Sequence, residues 1–225
     1  MRASAQVFDW QTTNIQALRG HDYKLGERQR SIITLEHANG WAYGDNYAWI
    51  DLIYPDGRDY TYYGEFSPRL SLGKITGHDL SYGIIKDILL STTFEKLKGQ
   101  GPQYLYGGAV DLNLPGFKFF KTNFYVHDST ERDGKTWQVT LAWNRPFQIG
   151  GTKFLIEGFS DIQGREGTSQ ANQSFVPRFL MDVGYALGGE ENKLWAGVEY
   201  QYWHNKAGRD GVTESVPQAQ IKWVF

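Results

Sequence analysis

Ser215-Val-Pro-Gln-Ala-Gln-Ile-Lys-Trp-Val-Phe225 ends the chain on a two-residue alternation. Successive side chains of an extended strand point to opposite sides, so Pro217, Ala219, Ile221, Trp223 and Phe225 share one face while Gln218, Gln220 and Lys222 take the other. One face is oily to its last residue and the other carries amides and a charge. The edge of a soluble sandwich can show such a pattern. A wall strand with lipid on one side and an aqueous lumen on the other requires it.

The same division recurs upstream. Leu194, Ala196, Val198, Tyr200 and Tyr202 oppose Lys193, Trp195, Glu199 and Gln201, and Phe179, Met181, Val183, Tyr185 and Leu187 oppose Arg178 and Asp182. Trp137, Val139, Leu141 and Trp143 oppose Thr136, Gln138, Thr140 and Ala142; Phe66, Pro68, Leu70 and Leu72 oppose Glu65, Ser67, Arg69 and Ser71. Charge keeps to one parity, which predicts an inner face that is polar throughout. Further strands are expected near 13–23, 30–38, 47–54, 81–95, 103–112, 117–127 and 152–161, which brings the total to twelve. The run Ile84-Ile85-Lys86-Asp87-Ile88-Leu89-Leu90 fits neither phase and predicts a bulge or a helical turn. Asn39-Gly40, Asp56-Gly57, Gly99 to Gly101, Asp133-Gly134, Gly150-Gly151, Gly188-Gly189 and Asp210-Gly211 read as turns between strands. The stretch from Gly164 to Ser174 reads as a long surface loop.

Composition agrees with this reading. The 225 residues contain 16% aromatics, 26 glycines and no cysteine. Mean hydropathy is −0.50, and no apolar run reaches the ~18 residues of a membrane-spanning helix. A barrel tolerates a polar average because its two faces cancel. Twelve strands of about 11 residues take about 132 residues, leaving short turns at one end and moderate loops at the other. The expectation is therefore a single domain over 1–225: an all-β, transmembrane, antiparallel up-and-down β-barrel of about twelve strands. Phe225 resembles the terminal recognition signal of bacterial outer-membrane barrels. Met1 to Gln6 hold no apolar signal core, and a removed signal peptide is expected.

No chemistry-bearing motif emerges. The five histidines, His21, His37, His78, His127 and His204, are scattered, without HExxH, GxSxG or a P-loop, and are read as interfacial or loop residues. His127, Asp128 and Ser129 adjoin in sequence, but neighbours on a strand face opposite ways and cannot converge. The expectation is no enzyme, no cofactor and no metal. A net charge of −2 gives no reason to expect nucleic acid.

The polar parity predicts the lumen: Glu36, Asp51, Glu65, Arg69, Asp111, Lys121, Glu157, Arg178, Asp182, Glu199 and Lys222, with Tyr47, Trp49, Phe119 and Tyr125 on the same faces. Charges of both signs in comparable number predict weak ion selectivity, and most of them are expected to pair and brace the interior. Aromatic rings in a wet lumen are harder to explain as filler. A planar base can stack on them, worth roughly 1–3 kcal/mol per base, and no phosphate-binding basic cluster is present. A weak site of this kind suits passive passage of nucleosides or similar small solutes. A surface receptor or purely structural barrel, and a soluble ligand-binding β-barrel, stand as the alternatives.

Several stretches carry a resemblance to a known family. Gly64 to Asp87 (GEFSPRLSLGKITGHDLSYGIIKD), with FDWQ at 8–11, TLEHANGWAYGDNYAWIDL at 34–52, GGAVDLNLPGF at 107–117 and VEYQYWHNK at 198–206, resembles in order the Tsx/OmpK family of nucleoside-specific outer-membrane channels. The resemblance implies a monomeric twelve-stranded barrel in the bacterial outer membrane that passes nucleosides without energy input. It also implies that bacteriophages and some colicins can be partners through the outer loops. Glu65, Pro68 and Arg69 match the family's E-x-x-P-R stretch, Asp79 and Leu80 its D-L pair, and Lys86 and Asp87 its Lys-acidic pair, while Asp111 falls in the VDL-x-LPG motif. Tyr23 is the expected counterpart of an aromatic substrate contact. The candidate lumen site is thus Tyr23, Glu36, Tyr47, Trp49, Asp51, Glu65, Arg69, Lys86, Asp111, Lys121, Tyr125 and Glu199. This chain's loops are shorter than those of the better-known enteric members.

Overall fold

The computed structural model describes residues 7–225; the expectation attached to Met1 to Gln6 lies outside the described residues. Twelve strands close into one antiparallel barrel in which each strand pairs with its sequence neighbours and the first pairs with the last. The strands are β1 (Trp10–His21), β2 (Gln29–Trp41), β3 (Gly44–Pro55), β4 (Thr61–Ser71), β5 (Ile85–Leu97), β6 (Gln103–Leu112), β7 (Phe119–Ser129), β8 (Thr136–Ile149), β9 (Thr152–Gln163), β10 (Asn172–Asp182), β11 (Leu194–His204) and β12 (Glu214–Val224). The seam runs from Asn14 opposite Val224 to Gly20 opposite Gln218. Closure leaves no unpaired edge, which is what allows a sheet to sit in lipid.

Parity holds around the wall. Ile221, Trp137 and Phe179 point outward at 56%, 54% and 50% exposure, while Gln220, Gln138 and Arg178, one residue away in each strand, point in. Outward rings pack on one another across strands: Phe147 lies 5.5 Å from Phe154, which lies 5.6 Å from Phe179. A soluble barrel holding a hydrophobic ligand would place its oily parity inside. Here that parity covers the outside.

Several local expectations change. Asn39 and Gly40 lie within β2, and the turn falls on Ala42 and Tyr43. β4 stops at Ser71, whose hydroxyl caps α1 (Leu72–Thr76) by accepting the Lys74 N–H, so Leu72 leaves the outer face. β10 stops at Asp182, whose carboxylate accepts the Tyr185 and Asn192 N–H groups at 2.9 and 2.6 Å. Val183 and Tyr185 then fall in α2 (Val183–Ala186) and Leu187 just beyond it, because the helix-capping carboxylate competes with the ladder for backbone donors. The ambiguous run resolves as a strand with a register shift between Ile85 and Asp87. The connections 72–84 and 183–193, at the rim carrying both termini, are longer than any at the opposite rim. The inner face is not polar throughout either: Leu155, Leu180 and Trp195 form a buried apolar cluster near the termini, with Val224 packed against it.

Candidate functional site

The inward side chains of neighbouring strands meet at fixed registers, and the resulting clusters divide the lumen. Arg178 on β10 lies between Glu157 on β9 and Glu199 on β11 and reaches β2. It donates to Glu36 Oε1 at 2.8 Å and to Glu199 Oε2 at 2.6 Å, and its Nη1 lies 3.7 Å from Glu157 Oε1. Lys222 donates to Glu157 Oε1 at 2.6 Å. Asn14, Asn144 and Gln218 donate to the remaining oxygens of Glu36, Glu157 and Glu199 at 3.0, 3.0 and 2.8 Å. Each carboxylate oxygen of this strut therefore has a donor, the condition on which a buried ionic network is tolerated.

A second strut lies on the other side. Arg69 on β4 makes bidentate contacts with Asp45, at 2.9 and 2.6 Å, and with Asp111, at 2.7 and 3.0 Å. Lys121 adds a contact of 3.4 Å to Asp45. Planar guanidinium forks of this kind fix geometry as well as charge.

The half of the lumen away from the termini is built differently. Glu65 on β4 stands opposite Glu95 on β5, and Asp161 from β9 across the barrel lies close enough to interact with both. Their partners are neutral donors: the Tyr63 hydroxyl to Glu65 at 2.8 Å, and Thr140 and Ser174 to Asp161 at 2.6 and 3.2 Å. Asp51 accepts from Thr34 at 2.5 Å. Among the described residues no ion pair reaches any of these four carboxylates. Beside them the Trp49 and Tyr63 rings meet edge to face, with centroids 5.3 Å apart. The inward residues of β1, β5 and β12 are mostly buried, whereas Tyr47, Trp49, Asp51, Tyr63 and Glu65 on β3 and β4, and Phe159 and Asp161 on β9, keep partial solvent access.

Loops fold into the mouth at this end. Tyr23, in the β1–β2 loop, is 2% exposed and donates to Gln218; a Cβ at inward Gly20 would lie 2.8 Å from its hydroxyl, so only glycine leaves it room. Burial pushes the Tyr23 phenol up, keeping it a donor. The Arg30 guanidinium covers its ring at 4.2 Å. Lys206, in the short 3-10 turn after β11, pairs with Glu214 and lies 5.0 Å from the Trp203 ring centroid. Burial lowers the Lys206 ammonium, with Glu214 pulling the other way.

Of the expected site residues, Glu36, Tyr47, Trp49, Asp51, Glu65, Arg69, Asp111, Lys121, Tyr125 and Glu199 all face inward, but the structure separates them by role. Glu36 and Glu199 belong to one strut; Arg69, Asp111 and Lys121 belong to the other. Tyr125 is buried, its hydroxyl 2.7 Å from Ser91 and 3.3 Å from Thr93, so it braces β5 against β7. Tyr23 plugs the mouth, and Lys86 sits exposed at the bulge with no partner among the described residues. Tyr47, Trp49, Asp51 and Glu65 line the accessible strip, joined by Tyr63, Phe159 and Asp161, with Glu95 buried beside Glu65; the sequence reading missed these four. Parity alone finds Tyr63 and Asp161, two and four residues from Glu65 and Glu157. Asp182 caps a helix at the rim. Inward carboxylates outnumber inward cations by more than the sequence reading gives, because among the described residues Asp45, Glu95, Asp161 and Glu214 join the carboxylates while Arg30 and, in the mouth, Lys206 join the cations. His127 is buried facing inward and is neither interfacial nor a loop residue; Asp128 points out to Lys135 at 2.8 Å, so the His127-Asp128-Ser129 trio does not converge.

A family model described as nucleoside-specific channel-forming protein, Tsx, matches residues 5–224. Outer membrane protein OmpK of Vibrio parahaemolyticus is 26% identical over 151 residues, 57% of this chain and 54% of that protein. OmpK of Vibrio parahaemolyticus serotype O3:K6 (strain RIMD 2210633) is 22% identical over 218 residues, 88% of this chain and 73% of that one. The matches thus span about half of the first relative's length and about three quarters of the second's. Among solved structures, the Acinetobacter baumannii outer membrane protein Omp33 aligns over 99% of both chains at 10% identity with a TM-score of 0.39.

Proposed function

The chain belongs to the Tsx family of nucleoside-specific channel-forming proteins, and from that membership we propose that it passes neutral nucleosides across the bacterial outer membrane, pausing them in the half of the lumen away from the termini. The observation that supports this is the accessible strip formed by Trp49, Tyr63, Tyr47 and Phe159 with Asp51, Glu65 and Asp161. Flat rings give a base a surface worth roughly 1–3 kcal/mol of stacking. Carboxylates held only by neutral donors keep lone pairs that no cation has neutralised, and a ribose diol or a base N–H supplies further donors to them. A phosphate would bring more negative charge to the same wall, so nucleotides are disfavoured.

The two struts offer no comparable affinity, since their carboxylates are already neutralised by Arg69, Arg178 and Lys222. A solute can therefore bind at the strip and leave again, the condition for facilitated passage. The test is ion current through single barrels in a planar bilayer, with adenosine or thymidine titrated against the corresponding monophosphates. Nucleosides should block saturably and the monophosphates weakly. Trp49→Ala should weaken block by roughly 5- to 150-fold, the equivalent of the stacking energy. A flat current at millimolar nucleoside, or equal block by nucleotides, would overturn the reading.

A further inference from the structure

The loop 164–171 between β9 and β10 holds a residue that a surface loop does not normally bury. Glu166 is 1% exposed. Its Oε1 accepts the Ser129 N–H at 3.0 Å, and its Oε2 lies 3.2 Å from Arg132 Nη1 and 3.2 Å from His127 Nδ1. Ser129 and His127 belong to β7, two strands from β9, and His127 faces the lumen. To reach them the loop must bend inward over the end of β8. It is closed on itself and meets two neighbouring connections. Glu166 and Ser169 bond to each other through their backbones, the Gln170 N–H donates to the Gly208 carbonyl at 2.8 Å, and a Cβ at Gly167 would lie 3.3 Å from the Asp133 carbonyl. The loop is therefore tied to the β7–β8 connection on one side and to the β11–β12 connection on the other.

We infer that this loop is a fixed sill that sets the size limit of the mouth, and that Glu166 is its positioning residue. The chemistry favours a permanent fixture. A carboxylate with almost no water contact requires its partners, and here one backbone N–H and one guanidinium donate to it, with the His127 ring beside them. Removing the side chain leaves Arg132 and the Ser129 N–H without their acceptor, and nothing else within the loop reaches β7. The loop would then relax outward and widen the opening. The effect is one of steric access, so it holds whichever solute the lumen prefers.

The full-length barrel tests this in two measurements: single-channel conductance in potassium chloride, and liposome swelling with a neutral monosaccharide and a neutral trisaccharide. Glu166→Ala should raise conductance and admit the trisaccharide that the parent excludes, while monosaccharide entry changes little. A Glu166→Ala barrel that is folded, by β-sheet circular dichroism and heat-modifiable gel mobility, yet keeps the parent's conductance and exclusion overturns the inference. If that variant does not fold, Arg132→Ala decides. Its guanidinium is partly exposed on the rim, and its loss should move both readouts in the same direction by less; no movement overturns the inference. Absence of nucleoside block in the parent would defeat the proposed substrate and leave this size-limit result standing.

Discussion

Replacing Arg178 with methionine keeps most of the side chain's volume and removes the one cation that Glu36 and Glu199 share. The guanidinium carries close contacts of 2.8 and 2.6 Å to those two carboxylates and one of 3.7 Å to Glu157. A unit pair about 4 Å apart is worth about 4 kcal/mol at an effective dielectric near 20, so the two close pairs supply on the order of 8 kcal/mol of gross attraction. Most of that offsets the burial of the charges themselves, and the net loss on removing one partner is about 3–5 kcal/mol. Asn14 and Gln218 still hold one oxygen each of Glu36 and Glu199, which places the expectation toward the lower end.

Urea unfolding of the barrel from lipid vesicles at neutral pH measures the loss. The same samples in planar bilayers should show a reversal potential shifted toward cation preference, since Lys222 is then the only cation left among Glu36, Glu157 and Glu199. A second variant isolates the cause. Adding Glu36→Gln and Glu199→Gln to Arg178→Met should recover most of the stability, because amides do not need the missing cation. An Arg178→Met barrel as stable as the parent, or a triple variant no better than the single, would show that the strut is not what braces this wall.

Three further outcomes follow from the same geometry. Arg69→Ala strips Asp45 and Asp111 of a bidentate partner; it should cost about 3–5 kcal/mol, raise single-channel conductance and increase cation preference, and unchanged conductance would place this strut away from the narrowest point. Ala219→Arg sets a charge on the outward face near the middle of β12 and should lower the unfolding free energy in lipid by roughly 2–4 kcal/mol, an effect absent if that face did not meet acyl chains. At the mouth, the Arg28 hydrogen bond, and then His21, hold Asp22 below the usual carboxylate range, and Arg19 does the same for Asp56. A lowered folded-state value means these contacts stabilise above the unfolded carboxylate value of about 3.9 and are lost as pH falls through their folded values, so the protection of amides in the 22–28 and 56–60 loops, taken relative to the intrinsic exchange rate at each pH, should fall at acid pH and in high salt.

The twelve strands were legible because a barrel wall repeats one simple constraint, an oily residue followed by a wet one. Strands with clean alternation, such as β12 and β11, were placed to within about a residue at their shared ends. The reading failed where a different interaction outcompetes the ladder for backbone donors. Ser71 and Asp182 cap helices, so Leu72, Val183, Tyr185 and Leu187 keep the parity of a strand that has already ended. Polarity of the inner face was overstated for a related reason. Near the termini Leu155, Leu180 and Trp195 from three neighbouring strands pack on one another, which parity cannot foresee. The candidate site was legible as a list of inward residues and not as groups, because which carboxylate finds a cation depends on cross-lumen distances. Nothing in the run from Gly164 to Ser174 marks Glu166 as the one loop residue that turns inside.

The division between carboxylates neutralised by cations and carboxylates held only by neutral donors bears on how a passive channel can be selective at all. A site that binds too well becomes a plug, and a lumen without a site is a sieve. The cation-free carboxylates and the rings of the strip stand beside the Arg178 strut, with Glu36 opposite Trp49 and Trp49 opposite Glu65. On the proposed reading, a nucleoside trades its water for Asp51, Glu65 and Asp161 at the strip, while each carboxylate of the neighbouring strut is already held by a cation, so the lumen carries no second trap there. That arrangement also explains why losing a strut should do more than widen the pore. Without Arg178, Glu36 and Glu199 become acceptors in search of donors, and the solute gains a second place to pause. Arg178→Met should then deepen nucleoside block while raising ion conductance, two changes of opposite sense that simple widening of a sieve cannot produce together.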